Sequence, residues 1–397
     1  MNKHIDQLYQ IAQKKNRIII GLMSGTSLDG LDIALCKMEG SGKHTKVQLQ
    51  QFISMPYDEA CKQKVRAVFS KEQINLQQLT LLHKWMGCLH ADLINEALSK
   101  WKLNSGDIDI IASHGQSIYH APLQLHGDAA MGNATLQIAD ADQIAVRTGI
   151  ITLSDFRQKH IAAGGEGAPL AAYGDYLLFK EDDWDVVLLN IGGISNFTWL
   201  PRQKRDIFST DIGPGNTLMD AWMQQQFDGR HYDKDAAVAL TGSMQPQLLT
   251  ALKQHPFFSA PFPKTTGPEL FNRAFIDAAI HASGVDAYSP QDVMATLNYL
   301  TAVTIAEAIQ TLNLDAFKLY VSGGGIHNPL LMETLQLLLP GARFCPTMEK
   351  GIAPDAKEAV LFAILANETL AGNAAESFTH SGKNFPAINM GKISLPQ

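Results

Sequence analysis

The sequence contains no run approaching the roughly 18 apolar residues that a membrane-spanning helix needs. Its richest apolar stretch, residues 185–194, has only the length of a strand. Residues 1–16 alternate charged and amide side chains and lack the apolar segment of a secretion signal. Cysteine is scarce and forms no C-x-x-C pair, the four residues being Cys36, Cys61, Cys88 and Cys345. We therefore expect a cytoplasmic protein with reduced thiols, no membrane partner and no structural zinc.

Charge is also sparse, and its balance is acidic. Lys and Arg number 32 against 39 Asp and Glu, which gives a formal net charge of −7. A chain that binds nucleic acid through phosphate contacts needs a basic surface, so we expect no nucleic-acid partner. Hydrophobic residues make up 46% of the 397 residues and charged residues only 18%. This balance is typical of a compact enzyme, and at about 150 residues per domain the length predicts two or three domains.

A strand, a glycine-rich turn and a second strand occur twice, at residues 18–35 and 186–199. Each unit is followed by helical periodicity and by a further strand. The repetition predicts an α/β fold of two related halves with a cleft between them. The predicted parts are a first lobe of residues 1–155, a second lobe of residues 156–354, and a closing helix and tail, residues 355–397, that join the first lobe.

Four glycine-bearing turns follow predicted strands, around Gly25, at 192–193, at 213–215 and at 323–325. Glycine lets successive backbone N–H groups converge on anionic oxygens, and a helix that begins after such a turn adds the positive end of its dipole. Neither G-x-x-x-x-G-K-[ST] nor a G-x-G-x-x-G after the first strand is present, which disfavours P-loop and Rossmann sites. Any one of these turns alone is weak evidence for phosphate binding.

Several strings occur in the same order as in one known family. They are Gly-Leu-Met-Ser-Gly-Thr-Ser-Leu-Asp-Gly at 21–30, Ser-His-Gly-Gln at 113–116, Ala-Ala-Gly-Gly-Glu-Gly-Ala-Pro-Leu at 162–170, Leu-Asn-Ile-Gly-Gly at 189–193, Asp-Ile-Gly-Pro-Gly-Asn at 211–216 and Ser-Gly-Gly-Gly at 322–325. In these strings the chain resembles the anhydro-N-acetylmuramic acid kinases. The first and third strings are highly specific to that family, and the resemblance extends over nearly the whole chain.

The resemblance implies a two-domain actin/hexokinase/Hsp70-like (ASKHA) fold with duplicated RNase H-like halves and ATP in the cleft. It also implies an enzyme that uses ATP, Mg²⁺ and water to open the 1,6-anhydro bridge of 1,6-anhydro-N-acetylmuramic acid and to phosphorylate O6. The products would be N-acetylmuramic acid 6-phosphate and ADP, in the recycling of cell-wall sugars, and the family suggests a homodimer. Because the γ-phosphoryl group captures the leaving O6, one carboxylate can suffice where an ordinary glycosidase needs two.

Asp211 matches the family's catalytic aspartate, and it lies between a predicted strand and a Gly-Pro-Gly turn. From the residues alone, its carboxylate is equally suited to activate water or to cap the following helix. The resemblance favours the first role. It also assigns nucleotide binding to Ser24, Gly25, Thr26, Ser27, Leu28, Asp29, Gly30, Leu31, Asp32, Gly192, Gly193, Gly213, Gly215, Asn216, Gly323, Gly324 and Gly325. The Mg²⁺ ligands stay open, since Asp29 and Asp32 offer hard oxygen donors but also fit an ordinary hairpin.

Three residues are candidates for contact with the sugar. The guanidinium of Arg157 matches the geometry of the lactyl carboxylate. Glu358 lies in a pattern that the family uses to reach the sugar, although a glutamate on a helix surface is often only solvated. His114 has either a contact to the acetamido or lactyl group or a purely structural hydrogen bond. The family tends to carry an arginine cluster ending in aspartate where this chain has Gln-Lys-His at 158–160, which leaves the effect on substrate binding open.

Two other functions fit parts of the pattern. A chaperone-like ATPase would need an appended peptide-binding module, but only a short tail follows the last predicted helix. A kinase for a ring-opened amino sugar would also place an aspartate such as Asp211 near the γ-phosphate. The ordered family strings favour the anhydro-sugar kinase over both.

Overall fold

The chain divides into two compact units in a computed structural model. Unit 1 comprises Met1–Leu178 and Lys350–Gln397, and unit 2 comprises Phe179–Glu349. The structure describes residues 2–25, 28–168, 170–203, 207–267, 269–285, 287–346, 354–373 and 387–397.

Strands and helices alternate along the described chain. The strands are β1 (Asn16–Ser24), β2 (Gly30–Glu39), β3 (Lys46–Pro56), β4 (Ile110–Ala121), β5 (Ala134–Ile138), β6 (Thr152–Ser154), β7 (Asp185–Ile191), β8 (Ile194–Leu200), β9 (Phe208–Pro214), β10 (Phe317–Ser322), β11 (Ala342–Cys345) and β12 (Lys392–Ser394). The helices are α1 (Lys3–Gln13), α2 (Glu59–Arg66), α3 (Leu76–Trp101), α4 (Leu123–His126), α5 (Ala141–Thr148), α6 (Phe156–Ala162), α7 (Ala171–Phe179), α8 (Thr217–Gln226), α9 (Pro246–Lys253), α10 (Pro256–Ser259), α11 (Arg273–Ala282), α12 (Pro290–Gln310), α13 (Pro329–Leu338) and α14 (Lys357–Ala371).

Each unit is built on one sheet, and the two sheets share a plan. In unit 1 the order is β12-β6-β4-β1-β2-β3, with β5 paired to β4, and in unit 2 it is β11-β10-β7-β8-β9. In each sheet three consecutive strands pair antiparallel, a later strand pairs parallel with the first of them, and a further strand pairs parallel with that later one. The predicted α/β fold with duplicated halves, of the actin/hexokinase/Hsp70 type, is therefore confirmed.

The central strands of unit 1 are buried on both faces, which explains their uninterrupted hydrophobic runs. Ile20 and Leu22 belong to one apolar cluster with Leu82 and Met86 of α3. Gly21 points the other way along the pleat, where α14 lies against β1.

Two long helices begin with local capping signals. The Asn75 side chain accepts a hydrogen bond from the N–H of Gln78 at the start of α3. In unit 2, Ser289 caps α12 by accepting from the N–H of Asp292, and a proline occupies the first turn. Helix α12 is buried along most of its length and packs against α8, α13 and β9, so it forms the centre of unit 2.

The observed division of the chain differs from the predicted one at residue 155. Residues 156–178 pack with unit 1, because α7 contacts α14 through two close approaches. The Asp175 carboxylate lies 2.9 Å from Nζ of Lys357, and Gly174 lies against the Leu361 side chain. None of the helices in the described ranges is long and apolar enough to cross a membrane.

Candidate active site

Three glycine turns of unit 2 meet at the end of β7. The Asn216 side chain donates from Nδ2 to the carbonyl oxygen of Ile191 over 3.3 Å. Gly323, with φ +84°, approaches the same carbonyl so closely that a Cβ would lie 2.6 Å from its oxygen. The turns at 192–193, 215–216 and 323–325 therefore form one loop cluster.

The turn that follows Asp211 is held by backbone hydrogen bonds to the turn at 192–193. The N–H groups of Gly215 and Asn216 donate to the carbonyls of Gly193 and Gly192, each over 2.8 Å. A Cβ on Gly215 would lie 2.2 Å from the carbonyl oxygen of Gly192, so only glycine fits there. These two N–H groups are thus used inside the cluster, and the predicted nucleotide contacts of Gly215 and Asn216 would involve other atoms.

Asp211 lies on β9, with its backbone and side chain both tied to one neighbouring segment. Its N–H donates to the carbonyl of Lys264 over 3.0 Å, and its Oδ2 accepts from the N–H of Thr266 over 2.9 Å. Burial raises the pKa of the carboxyl, Glu269 raises it further, and the Thr266 hydrogen bond opposes both. The residues 264–266 were not identified from the sequence, because nothing local marks a segment that pairs with β9 from so far along the chain.

The first predicted phosphate hairpin, in unit 1, rests on a buried chain of hydrogen bonds. Ser24 Oγ donates to Oε1 of Gln116 over 2.5 Å and lies 2.8 Å from the Tyr57 hydroxyl, which lies 2.9 Å from Nε2 of His90. The Gln116 amide continues to the carbonyl of Gly25 over 3.3 Å. The chain anchors the start of the hairpin to α3 and β4.

Other hairpin residues divide between core and surface. Leu28 and Leu31 are buried and belong to the apolar core of unit 1, so contact with a nucleotide would fall to their backbone. Leu28 has φ +61°, a conformation that is unfavourable for a residue with a side chain. Thr26 and Ser27 lie outside the described residues.

Acidic side chains gather beside this hairpin. The pKa of Asp32 is raised by burial and by the charges of Asp355 and Asp29, against a hydrogen bond from Ser54. The pKa of Glu358 is also raised, by loss of water and by Asp32, although its side chain keeps an exposed surface that weakens the shift. Across the described ranges, no three histidine, cysteine or acidic side chains are placed to hold a metal ion together.

His114 and Arg157 form a direct pair in unit 1. Arg157 donates from Nε to Nε2 of His114 over 2.9 Å, and Nδ1 of the ring lies 2.9 Å from the carbonyl oxygen of Gly115. Arg157 also donates from an Nη atom to the carbonyl of Gly167 over 2.8 Å. Burial lowers the pKa of the Arg157 guanidinium, and the charge of Glu358 opposes that shift. Of the three predicted sugar contacts, Arg157 and Glu358 are therefore neighbours, while both ring nitrogens of His114 already have partners.

Residues 158–160 differ from the pattern that the family tends to carry, and at residue 160 the structure explains the difference. His160 is buried, and its Nδ1 accepts the N–H of Gly167 over 2.8 Å. An aspartate oxygen could accept the same hydrogen bond, since it reaches a similar distance from the backbone. His160 and Arg157 thus hold the N–H and the carbonyl of one residue, Gly167, in the glycine-rich loop.

The duplicated topology of the two sheets is that of the actin/hexokinase/Hsp70-type fold. The family model described as anhydro-N-acetylmuramic acid kinase matches residues 17–393. The chain belongs to the anhydro-N-acetylmuramic acid kinase family, and it is an enzyme of the phosphotransferase class.

Three relatives that carry the name of the family cover all or nearly all of this chain. The anhydro-N-acetylmuramic acid kinase of Pseudoalteromonas atlantica is 55% identical over 401 residues and covers 100% of both chains. That of Pseudoalteromonas translucida is 52% identical, again over 100% of both. That of Caldanaerobacter subterraneus is 37% identical over 98% of this chain and 100% of its own.

Two solved structures resemble the chain distantly. A hexokinase from Schistosoma mansoni complexed with glucose has a TM-score of 0.34 at 12% identity, covering 89% of this chain and 86% of its own. A ROK family glucokinase from Streptomyces griseus, in complex with glucose and AMPPNP, has a TM-score of 0.33 at 12% identity, covering 87% and 97%. At these scores the likeness assigns no function.

Proposed function

We propose that this enzyme adds water across the 1,6-anhydro bridge of 1,6-anhydro-N-acetylmuramic acid and transfers the γ-phosphoryl group of ATP to O6. The products are N-acetylmuramic acid 6-phosphate and ADP, which makes the reaction a step in the recycling of cell-wall sugars. Membership of the family and the identity of the relatives support the substrate. The observation that carries the mechanism is the Asp211 carboxylate, fixed through Oδ2 by Thr266.

Asp211 acts as the general base. Oδ2 is engaged by the Thr266 N–H, which leaves Oδ1 to accept a proton from the attacking water. Water attacks C1 as the C1–O6 bond breaks, and O6 takes the phosphoryl group in place of a proton. The burial that raises the pKa of Asp211 makes the carboxylate a stronger base than one in open water. Attack from the side opposite O6 predicts inversion at C1.

The nucleotide is assigned to the hairpin that starts at Ser24 and to the glycine loop cluster of unit 2. The remaining donors of the cluster include Gly193, where a Cβ would meet no atom closer than 3.9 Å, so a ligand can approach its backbone. Bound Mg²⁺ would neutralise phosphate charge during transfer. Asp29 and Asp32 are suited to reach it directly or through water, because Mg²⁺ keeps several waters and needs few protein ligands.

Recognition of the sugar falls to Arg157 and Glu358. The described hydrogen bonds use Nε and one terminal nitrogen of Arg157, so the other terminal nitrogen can donate to the lactyl carboxylate. His114 supports this guanidinium rather than contacting the sugar. Glu358, with its raised pKa, is suited to a hydrogen bond with a sugar hydroxyl. We extend the proposal to a homodimer working in the cytoplasm, which size-exclusion chromatography and fractionation would test.

The deciding experiment uses Mg-ATP and 1,6-anhydro-N-acetylmuramic acid in ¹⁸O-labelled water, followed by mass spectrometry of the sugar. We expect a product that has gained one water and one phosphoryl group, with ¹⁸O at C1 and the inverted anomer first in an NMR time course. Product without ¹⁸O at C1 would remove the hydrolytic role of Asp211. Turnover only with ring-opened N-acetylated hexosamines would replace the anhydro-sugar proposal by an ordinary amino-sugar kinase.

A further inference from the structure

The segment from Lys264 to Thr266 lies along β9 and is joined to it at three points, two of them on the candidate base. Thr210 Oγ1 accepts the N–H of Lys264 over 2.9 Å, and the carbonyl of Lys264 accepts the N–H of Asp211 over 3.0 Å. The N–H of Thr266 then reaches Oδ2 of Asp211. We name residues 264–266 the strap. The strap determines that Oδ2 of Asp211 accepts a hydrogen bond from the protein, while Oδ1 stays available to another donor.

The strap is itself anchored by the ammonium group of Lys264. Nζ donates to the carbonyls of Phe257 and Phe258, over 2.9 and 3.4 Å. It also lies 4.4 Å from the ring centre of Phe257 and 4.6 Å from that of Phe262, a distance at which the ring face attracts a cation. Within the described ranges no carboxylate pairs with Lys264. Its charge is therefore bound by carbonyls and aromatic rings alone.

The same aromatic residues lie against the turn that follows Asp211. A Cβ on Gly213 would lie 3.2 Å from Cε1 of Phe258 and 3.7 Å from Cε1 of Phe257. The aromatic residues that anchor the strap thus contact the glycine turn. A shift of Lys264 would therefore displace the backbone on both sides of Asp211.

We propose that Lys264 is a positioning residue for the general base: its ammonium, held by Phe257, Phe258 and Phe262, keeps the strap in the register that presents Oδ1 of Asp211 to water. This inference rests on the proposed function of Asp211. It assigns Lys264 no contact with substrate or nucleotide, because two of its three N–H groups are already donated to carbonyls. Geometry of this kind matters, since small misplacement of a reacting group costs large factors in rate.

The test compares Lys264→Met with Lys264→Arg, which retains the charge and the attraction to the rings. In Lys264→Met we expect kcat to fall by about tenfold or more while KM for ATP stays within about twofold. Loosening of the Thr266 hydrogen bond removes an interaction that favours the carboxylate, so the acid limb of the pH–rate profile should move to higher pH. Lys264→Arg should recover most of kcat and return the limb towards the wild-type position.

Two further variants separate this role from a general loss of packing. Lys253→Met removes another lysine of unit 2, one that pairs with Glu307, and should leave the acid limb unmoved. Thr210→Val removes the hydroxyl that bridges to the strap, and should shift the limb in the same direction as Lys264→Met. If the Lys264 variant proves too unstable to assay, Thr210→Val and Thr210→Ser carry the test.

A readout independent of catalysis is the NMR titration of the Asp211 carboxyl carbon. We expect its pKa to be higher in Lys264→Met than in the wild type. A folded Lys264→Met variant with unchanged kcat and unchanged titration would overturn the proposal, as would a large rise in KM for ATP alone, which would indicate a phosphate contact. If the wild type acts only on ring-opened sugars, the proposed function fails, but the titration still decides the role of the strap.

Discussion

Arg157 donates from Nε to Nε2 of His114 over 2.9 Å, while Nδ1 of the same ring lies 2.9 Å from the carbonyl oxygen of Gly115. The ring is therefore neutral, with its proton on Nδ1. Burial and the Arg157 charge lower the pKa of His114 to about 3, so the pair stays intact throughout the neutral range. The neutral imidazole of His114 therefore orients the guanidinium of Arg157. The described hydrogen bonds of Arg157 leave one of its terminal nitrogens able to donate to an anionic group.

Replacing His114 should change selectivity for the lactyl carboxylate. In His114→Leu the guanidinium loses an acceptor, and we expect KM for 1,6-anhydro-N-acetylmuramic acid to rise by about tenfold, as for a lost hydrogen bond to a charged group. KM for 1,6-anhydro-N-acetylglucosamine, which lacks the carboxylate, should change by less than about twofold. Arg157→Lys, which keeps the charge but loses the fork, should act in the same direction. Equal losses for both sugars would indicate a structural role only.

Loss of the His160 acceptor should destabilise the glycine-rich loop. In His160→Leu the buried N–H of Gly167 loses its partner, at a cost of about 1–3 kcal/mol in the free energy of unfolding. His160→Asn keeps an acceptor at a similar distance and should recover most of that loss. The measurement is denaturant unfolding of the wild type and both variants. Equal destabilisation by Leu and Asn would show that ring packing against Tyr173, and not the hydrogen bond, is what matters.

The buried hydrogen-bond chain below the first hairpin is open to a single-atom test. Tyr57→Phe removes the hydroxyl that links Ser24 to His90, without changing the shape of the ring. We expect a loss of about 1–3 kcal/mol in unfolding free energy and a severalfold higher KM for ATP, with KM for the sugar little changed. Tyr119→Phe, at an exposed tyrosine of β4, is the matched control. An unchanged KM for ATP would mean that the chain serves stability alone.

Much of this fold could be predicted from the sequence, because its central strands are continuous apolar runs that end in glycine turns. β3 could not, since its burial alternates irregularly and most of its residues touch water, as at an edge of the sheet. Asp211 could be singled out through the Asp-Ile-Gly-Pro-Gly-Asn string that resembles the family, although β9 continues through this string to Pro214. Its support at Thr266 was not, because the two residues are 55 positions apart and the contact has no local signal.

The two ends of the His114–Arg157 pair illustrate the same limit. Each residue could be singled out for its chemistry, but only tertiary structure reveals that they bond to each other over 43 positions. Of the two roles expected for His114, a contact with the sugar or a structural hydrogen bond, the pairing favours the second. The residue types predicted a polar contact at this place. Only the packing shows that one terminal nitrogen of Arg157 is left out of the described hydrogen bonds.

Removal of the charge on Asp211 should abolish turnover and spare the nucleotide site. Asp211→Asn keeps an oxygen that can accept the Thr266 N–H, so the fold and the Kd for ATP should change by less than about twofold. It cannot accept a proton from water, and we expect kcat to fall by about 10²–10⁴. In the wild type, the rate should fall as pH drops through the raised pKa of this carboxyl. Near-normal kcat in the variant would remove Asp211 from the role of base.

Asp220, in the first turn of α8, should reduce stability at neutral pH. Burial raises the pKa of its carboxyl from 3.8 to about 6, and no charged neighbour offsets the loss of water. The folded state then binds more protons than the unfolded state between these values, so stability falls as pH rises through this window and stays lower above it. Because the side chain keeps some contact with water, the penalty is only about 1–2 kcal/mol, still larger than the 0.3–1 kcal/mol or so that a helix N-terminus returns to an acidic side chain.

Asp220→Asn should therefore unfold with a free energy higher by about 1 kcal/mol at neutral pH, and the difference should vanish near pH ~4. Denaturant unfolding of both proteins at a series of pH values measures this directly. Asp277→Asn on α11 is the control, because that carboxylate is exposed and pairs with Arg273, so its loss should be slightly destabilising at neutral pH. A difference for Asp220→Asn that does not vary with pH would mean that shape, and not charge, sets the effect.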